Sequence, residues 1–407
     1  MITRAWRLFR QNRLSPSCIH NCCRYIIFVI MRGVFILGGT GSIGSSALSV
    51  VRQNADNLQL IGFSYNNNHE KAKQIISEFK PQYVFSNQST DLDVPNLITD
   101  EDNLLEVLCL ESIEYIICGV SGFEGLKSTM LASKSGKKIL LANKESIVTA
   151  GSIFLESCNK HNSQIFPIDS EHNAVLQCLD TKSKNSEITK VTLTASGGPF
   201  YGIDMDQLKE ITPEQAANHP NWKMGTKISI DSATLMNKCL EVIEAAILFK
   251  IESDKINAVI HPQSILHAMV TYIDGSSIAH LSNPSMEVPI ANMLRGDNRI
   301  SINFEELLTS ERALEFFPIP HEKESLFEIA RDVIEHQGNR GAIFNAINEI
   351  AVQQFRDSKI SFLDIDKVIK GTYSAMTMSK LDSIEEVYFY DKEARIKSLE
   401  MIKSISH

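Results

Sequence analysis

The chain has 407 residues, 43% of them hydrophobic and 22% charged, with a formal net charge of −9. That length exceeds what one core holds, so about two or three domains are expected. The negative balance excludes a sequence-independent nucleic-acid binder, which needs a basic surface, and no apolar run approaches the ~20 residues of a membrane span, so neither nucleic acid nor membrane is an expected partner.

The first thirty residues hold five Arg and no acid, and the first acidic residue of the chain is Asp56. An organelle transit peptide has this bias; the plainer reading is an upstream start codon with Met31 as the true first residue. Residues 1–30 are therefore expected to be an extension without a fold of its own, in which Cys18, Cys22 and Cys23 bind nothing. The expected location is bacterial-type cytoplasm, or a plastid-like organelle if the segment is a transit peptide. The eight cysteines form no CxxC pair, which argues against a zinc ribbon and for reduced core thiols.

An apolar run at 34–37 reads as a buried parallel strand, followed by GGTGSIG and the helical spacing of SSALSVVRQ. Gly39-x-Gly41-x-x-Gly44 in this strand–turn–helix context matches the dinucleotide-binding fingerprint. Its glycines let backbone approach a pyrophosphate, and the helix start offers free N–H groups. A second strand at 58–63 ends at Ser64-Tyr65-Asn66-Asn67-Asn68, without the acid that would hold an NAD ribose. A 2′-phosphate is then not repelled, which favours NADP; Lys71 and Lys73 are the nearest cations. Helical patterns at 70–79, 104–108 and 126–134 alternate with extended ones at 83–85, 115–118 and 138–142, which predicts a doubly wound parallel sheet. Asn143-Lys144-Glu145 follows at the carboxyl end of that sheet, where such folds bind ligands. Lys144 is a candidate for substrate hydroxyls, a surface pair with Glu145 being the duller alternative.

Near Ile165 the pattern changes. Strands are expected at 191–194, 258–261, 267–272 and 277–281, with Asp274-Gly275 as a hairpin turn and one long helix over 233–249. Two prolines mark 316–321 as a linker, and helical patterns follow at 326–337, 342–355 and 365–376. The fold class is α/β: a Rossmann-type NADP-binding domain at 31–168, an α+β catalytic domain binding metal and substrate at 169–310, a linker at 311–325 and a small helical domain at 326–407.

Asp169 and Glu171 are expected to leave one side of a strand end. Thr234, Asn237, Lys238 and Glu241 follow i, i+3, i+4, i+7 and share a helical face. Three carboxylates suit a hard divalent cation, Mg²⁺ or Mn²⁺; the alternative is that Asp169 caps a helix and Glu241 is solvated. Ser196, Ser232, Asn237 and Lys238 are candidate phosphate donors, although Ser232 also suits a helix N-cap. Gly197-Gly198-Pro199 and His219-Pro220-Asn221-Trp222 flank a candidate closing loop with Trp222 as its apolar face, or else a surface loop whose Trp packs inward. His261-Pro262-Gln263-Ser264 and Asn283-Pro284-Ser285 receive no chemistry and are candidates for shaping an interface.

GGTGSIGSSAL, LANKES, DSEHNAV, SGGPF, HPNWKMG, DSATLMNKCLE and HPQSILH, in this order and spacing, resemble the 1-deoxy-D-xylulose 5-phosphate reductoisomerase family. The likeness runs from about Val34 into the C-terminal helices, where GNRGAIFNAINEIAV fits the family's last domain; residues 1–30 lie outside it. The resemblance implies NADPH- and metal-dependent rearrangement and reduction of 1-deoxy-D-xylulose 5-phosphate, a small phosphorylated sugar, to 2-C-methyl-D-erythritol 4-phosphate in the non-mevalonate isoprenoid route. It implies Asp169, Glu171 and Glu241 as metal ligands, and Ser170, Ser196, His219, Ser232, Asn237 and Lys238 as substrate contacts with Lys144 beside them. Lys144, His219 and the three acids form the expected catalytic group. Thr40, Gly41, Ser42, Ile43, Asn143, Glu145 and Gly225 match the NADPH contacts, and a homodimer is the usual assembly. Two departures stand out. Asn66-Asn67-Asn68 replaces a common Gly-Lys-Asn, which weakens the grip on the 2′-phosphate while Asn68 keeps its place in the cofactor set. Lys223 and Thr226 stand where a small polar residue and an Arg are common, which shifts a positive charge along the loop. Two other readings are a simple NADP-dependent dehydrogenase of semialdehyde or homoserine type, and a non-catalytic NADP-binding sensor or assembly subunit.

Overall fold

The computed structural model describes residues 31–88, 92–180, 184–203, 205–222, 224–296, 298–307 and 313–405; the N-terminal extension and Lys223 lie outside the described residues. Strands β1 (Arg32–Leu37), β2 (Leu58–Ser64), β3 (Tyr83–Phe85), β4 (Asn96–Ile98), β5 (Tyr115–Cys118), β6 (Lys138–Leu141) and β7 (Gln164–Pro167) form one sheet in the order β4-β3-β2-β1-β5-β6-β7. Every pairing in it is parallel. Helices α1 (Ser42–Gln53), α2 (His69–Phe79), α3 (Glu101–Leu108), α4 (Gly125–Ser133) and α5 (Lys144–His161) supply crossovers between its strands. Val34, Phe35, Ile36 and Leu37 are all fully buried, as a strand covered on both faces requires. Where β1 turns into α1, Gly44 lies so close to the preceding turn that a Cβ on it would stand 2.4 Å from the Gly39 carbonyl oxygen. That contact explains the third glycine of the fingerprint, which closes helix onto strand.

Helix α6 (Ser170–Cys178) leads from the first sheet to the second, built from β8 (Ile188–Ala195), β9 (Ile256–Ile260), β10 (Leu266–Tyr272) and β11 (Ser277–Leu281) in the order β11-β10-β8-β9. The β8–β9 pair is parallel and the others antiparallel. The long helix expected over 233–249 is two helices, α7 (Thr226–Thr234) and α8 (Met236–Phe249). They break at Leu235, whose φ of 65° is left-handed and costs roughly 1–2 kcal/mol for an L-residue. The Thr234 hydroxyl, in contact with the Asp231 carbonyl, also takes the Met236 N–H, and Leu235 is buried with Ala195 and Ile260. Those two effects outweigh the helix propensity of leucine. Ser232 consequently lies inside α7 rather than at an N-cap.

Helix α9 (Glu287–Met293) belongs by sequence to the 169–310 segment but packs on the N-terminal sheet's core, where Ile290, Ala291 and Leu294 join Val34, Ile36 and Leu48. Helices α10 (Glu324–His336), α11 (Arg340–Arg356), α12 (Phe362–Ala375) and α13 (Ile384–Ile405) close the molecule; α13 carried no pattern singled out in the sequence. The C-terminal helices have no core apart: Met236, Leu240 and Ile243 of α8 are buried with Ile343, Phe344 and Ile347 of α11 and Ile365 of α12, each such side chain contributing about 1.5–3 kcal/mol. The preceding segment is strapped to β9 by the Ile260–Phe317 bridge, with N–H to O distances of 2.8 and 2.9 Å.

Gly44→Ala tests the close approach of α1 to the turn. The added methyl is expected to destabilise by about 2 kcal/mol, read as a fall of about 4–8 °C in the thermal midpoint; an unchanged midpoint would contradict the packing described.

Candidate active site

The carboxyl ends of β6 and β7, the start of α8 and the end of β8 surround a cavity of about 450 Å³. Pro167 ends β7 and Asp169 caps α6, its side chain accepting from the Glu171 N–H. Capping and a place in the acidic cluster therefore coincide, and Glu171 comes from the first turn of α6 rather than from a strand end. The Leu235 break sets the start of α8 so that Asn237, Lys238 and Glu241 line the cavity with Asp169 and Glu171. Thr234, placed on that face by the one-helix reading, is instead buried at the end of α7 and does not line it.

Two lysines hold the three acids. Lys144 Nζ lies 2.6 Å from Asp169 Oδ2, 2.7 Å from Glu241 Oε1 and 2.9 Å from Asn237 Oδ1. Lys238 Nζ lies 2.8 Å from Glu171 Oε1 and also donates to Glu241 Oε2. Burial disfavours the charge on Lys144, but Asp169 and Glu241 outweigh it and hold the ammonium well above its ordinary value. Burial likewise pushes Asp169 up, yet Lys144 and His172 carry it well below the carboxylate range. Glu171 moves the other way: burial and the neighbouring Glu241 push it up to about 7 against the pull of Lys238. The acidic cluster thus has an affinity for more positive charge than two lysines supply.

Two groupings, one of three carboxylates and one of two carboxylates and a histidine, have the spacing of a cation site among the described residues. Ligand atoms of Asp169, Glu171 and Glu241 lie within 4.8 Å of one another, and so do those of Asp169, His172 and Glu244. Only the first opens on the cavity; His172 and Glu244 are wholly buried behind it. His172 donates through Nε2 to the Glu241 carbonyl at 2.9 Å, and its Nδ1 faces Asp169 at 3.2 Å and Glu244 at 3.3 Å. Burial lowers the His172 pKa, but Glu244 and Asp169 carry it up to about 9, so the imidazolium is a charged brace with both ring nitrogens occupied. The all-oxygen set facing the cavity fits Mg²⁺ or Mn²⁺.

At the other wall, His219 Nδ1 accepts the N–H groups of Asn221 at 3.1 Å and Trp222 at 3.0 Å. That leaves the proton on Nε2, which donates to Ser196 Oγ at 2.7 Å. Burial lowers His219 to about 4, so this donor stays neutral near pH 7. Ser196 Oγ also accepts from the Gly198 N–H and stands 3.3 Å from Ser232 Oγ. Two hydroxyls are thereby presented together to an anion. Asn221 donates to the Pro262 carbonyl at 2.6 Å and to Ser264 Oγ at 3.1 Å, and Trp222 lies edge-on to His267. The HPQS segment, which received no chemistry from sequence, therefore anchors the 219–222 turn, and Ser264 and His267 line the cavity. Trp222 also lines it rather than packing wholly inward.

The nucleotide end is less closed. Gly41, Ser42 and Ile43 line the cavity with Gly119, Val120, Ser121, Glu145 and Gly225, and no side chain caps α1 at its Gly41 N-cap. Free N–H groups and close glycines fit a dinucleotide pyrophosphate. Thr40 and Asn143 are not on the lining. Asn143 caps α5 and donates to the Val120 and Gly122 carbonyls at 2.8 and 2.9 Å. Asn66 and Asn67 accept from Gln88, and Asn68 caps α2. Lys73 pairs with Glu70. Lys71 instead reaches back over the glycine turn to the Thr40 carbonyl at 2.8 Å and Ser45 Oγ at 2.5 Å. Thr226 opens α7, and its neighbour Lys227 brings a cation to this wall, paired with Glu145 at 2.8 Å and Asp231 at 2.9 Å. Sequence reasoning missed His172, Glu244, Lys227, Asp231, Ser264 and His267. Of these, His172, Asp231, Ser264 and His267 lay inside motifs it had singled out for their likeness, with no role given, whereas Glu244 and Lys227 lay outside them.

Three family models match the chain: 1-deoxy-D-xylulose 5-phosphate reductoisomerase over 34–151, its C-terminal domain over 165–249, and the DXP reductoisomerase C-terminal domain over 281–397. The reductoisomerase of Vesicomyosocius okutanii is 42% identical over 382 residues, 92% of this chain and 99% of that one. That of Francisella tularensis (strain SCHU S4 / Schu 4) is 43% identical over 375 residues, 89% of this chain and 96% of that one. A solved DOX-P reductoisomerase in complex with NADPH, fosmidomycin and magnesium superposes with a TM-score of 0.85 at 34% identity, covering 93% of this chain and all of the other. The Zymomonas mobilis enzyme in complex with NADPH gives 0.84 at 36% identity, over 92% of this chain. On these matches the chain belongs to the 1-deoxy-D-xylulose 5-phosphate reductoisomerase family.

Proposed function

We propose a role for each side chain of the cleft in the reaction that family membership gives this chain: the NADPH- and divalent-metal-dependent rearrangement and reduction of 1-deoxy-D-xylulose 5-phosphate to 2-C-methyl-D-erythritol 4-phosphate. That membership sets aside the simple dehydrogenase and the non-catalytic subunit. The observation that carries the assignment of roles is the convergence of Asp169, Glu171 and Glu241 on one cavity floor. A divalent cation held by these acids supplies Lewis acidity at a carbonyl and its neighbouring hydroxyl, and NADPH supplies hydride.

The chain's own groups do the rest. Lys144 and Lys238 keep their protons at Nζ and donate to substrate hydroxyls and phosphate from the floor of the cleft, with Asn237 and Ser170 beside them. Ser196 and Ser232 take phosphate oxygens, with His219 fixing the Ser196 hydroxyl from behind. Phosphate binding at this distance from the reacting carbons supplies orientation. Trp222 and Met224 give the cavity an apolar side that excludes water.

Gly41, Ser42 and Ile43 take the pyrophosphate on α1, with Thr40 at the turn, and Glu145 and Gly225 border the nicotinamide end. Asn143 serves this end through the loop it holds. Asn66, Asn67 and Asn68 border the adenosine end, where the charge is supplied by Lys71: it stands over the glycine turn with no carboxylate partner among the described residues. A homodimer is part of the same reading, supported by the half-exposed β11 edge with Ile278 and the nearby Ile273, 45% and 66% exposed. So is a cytoplasmic location, supported by the bacterial relatives; the transit-peptide alternative concerns residues outside those described. No described helix is long and apolar enough to cross a membrane.

Glu241→Gln is expected to lower kcat by about 10²–10³ or more while the NADPH dissociation constant, read from nucleotide fluorescence, changes less than about threefold. Equal loss of nucleotide affinity would contradict the placement of Glu241. Lys71→Ala is expected to weaken NADPH by about five- to tenfold and NADH by less than about twofold; an equal effect on both would show that Lys71 does not meet the 2′-phosphate.

A further inference from the structure

The Asn348-Glu349 pair of α11 has no place in the chemistry above, yet its two side chains reach two different walls of the cleft. Glu349 Oε1 accepts the backbone N–H of Phe123 at 2.8 Å, across 226 residues of sequence. Phe123 ends the loop after β5, whose Gly119, Val120 and Ser121 line the cavity. From the opposite side Asn143 takes the Val120 and Gly122 carbonyls. The loop is thus held by its carbonyls from α5 and by its N–H from α11. Gly122 has φ of 73°, and a Cβ there would stand 3.0 Å from Glu349 Oε1, so the turn is shaped around this carboxylate.

Glu349 is in turn fixed from the C-terminal helices. Arg395 of α13 bonds Glu349 Oε2 at 2.5 Å and Asp391 at 2.7 and 3.0 Å, and its guanidinium lies 5.7 Å from the centre of the Phe123 ring. That ring also meets Tyr388 edge-on at 5.4 Å. Next door, Asn348 Nδ2 donates to Asp231 Oδ1 at 2.9 Å. Asp231 pairs with Lys227, which pairs with Glu145 on the cavity lining. Consecutive residues of one C-terminal helix thereby brace both sides of the cofactor end.

We propose that Glu349 is a positioning residue for cofactor binding, setting the 119–123 wall from the C-terminal helices by accepting the Phe123 N–H. The inference rests on the reading that NADPH lies along that wall. A misplaced wall weakens binding of a ligand without touching the metal and phosphate groups, so the effect falls on nucleotide affinity and not on turnover at saturation.

The test compares Glu349→Ala with Glu349→Gln in the full chain. Glu349→Ala is expected to raise the NADPH dissociation constant, measured by nucleotide fluorescence, by about tenfold, with kcat at saturating NADPH and the sugar-phosphate KM within about twofold of wild type. Glu349→Gln keeps an acceptor for the N–H and is expected to stay within about threefold. Glu349→Ala with wild-type affinity and a wild-type thermal midpoint would overturn the proposal. So would equal weakening by Ala and Gln, which would assign the effect to the Arg395 pair, or a fall in kcat alone. If Glu349→Ala does not fold, hydrogen exchange of the nucleotide-free wild type decides: the Phe123 amide is expected to be protected, and exchange at the rate of an open loop overturns the proposal. Wild-type protein that fails to bind NADPH would instead sink the underlying assignment of the cofactor site.

Discussion

Lys144 and Lys238 meet Asp169, Glu171 and Glu241 at 2.6 to 2.8 Å in a place nearly shut off from water. A buried ion network of this kind adds little net stability, because desolvation offsets most of the attraction. Removing one partner, however, strands a charge at a cost of about 3–5 kcal/mol. Such a cluster persists only if the frame around it is rigid, and the frame is built to that end. Asp169 is tied down as the cap of α6, Lys144 begins α5 directly after β6, and Glu241 is backed by His172 through its main-chain carbonyl. A floor that must stay charged in the dark interior is prepared for a ligand that brings further positive charge.

The position of that floor follows from the two sheets. Parallel strands send their carboxyl ends to one side, and β6 and β7 deliver Lys144 and the Asp169–Glu171 pair within a short reach of each other. The second sheet then brings Ser196 from the end of β8, and the α7–α8 break turns the start of α8 inward. The strain at Leu235 is offset by the burial of α8 against the C-terminal helices. Those helices therefore act on the site in two ways: they hold α8 by apolar packing, and they touch the cofactor wall through the polar side chains of α11.

Local signals were legible in the sequence where local physics decides. The glycine turn, the alternation that builds the parallel sheet, and the spacing of Asn237, Lys238 and Glu241 all depend on residues a few positions apart. The break at Leu235 was not legible, because leucine is a good helix former and the break comes from the Thr234 hydroxyl and from burial against strands far along the chain. Asn348 and Glu349 sit in what reads as an ordinary helical pattern; their partners lie 117 and 226 residues away. His172 lies inside DSEHNAV and received no role, since nothing in its neighbourhood announces that Glu244 and the Glu241 carbonyl will close on it. The choice between Lys71 and Lys73 was likewise open, until the fold sent one over the glycine turn and left the other beside Glu70. Nor does any local pattern announce that α8 buries apolar residues with the C-terminal helices and α9 with the N-terminal sheet, because both cores are closed by residues far apart in sequence.

The account turns on which acids take the cation, and the structure offers two sets that share Asp169. Anomalous diffraction at the manganese edge from crystals grown with Mn²⁺ separates them directly. A single peak within bonding distance of Asp169, Glu171 and Glu241, on the cavity side, is the predicted result. A peak enclosed by Asp169, His172 and Glu244, or active crystals with no peak at either place, would contradict it.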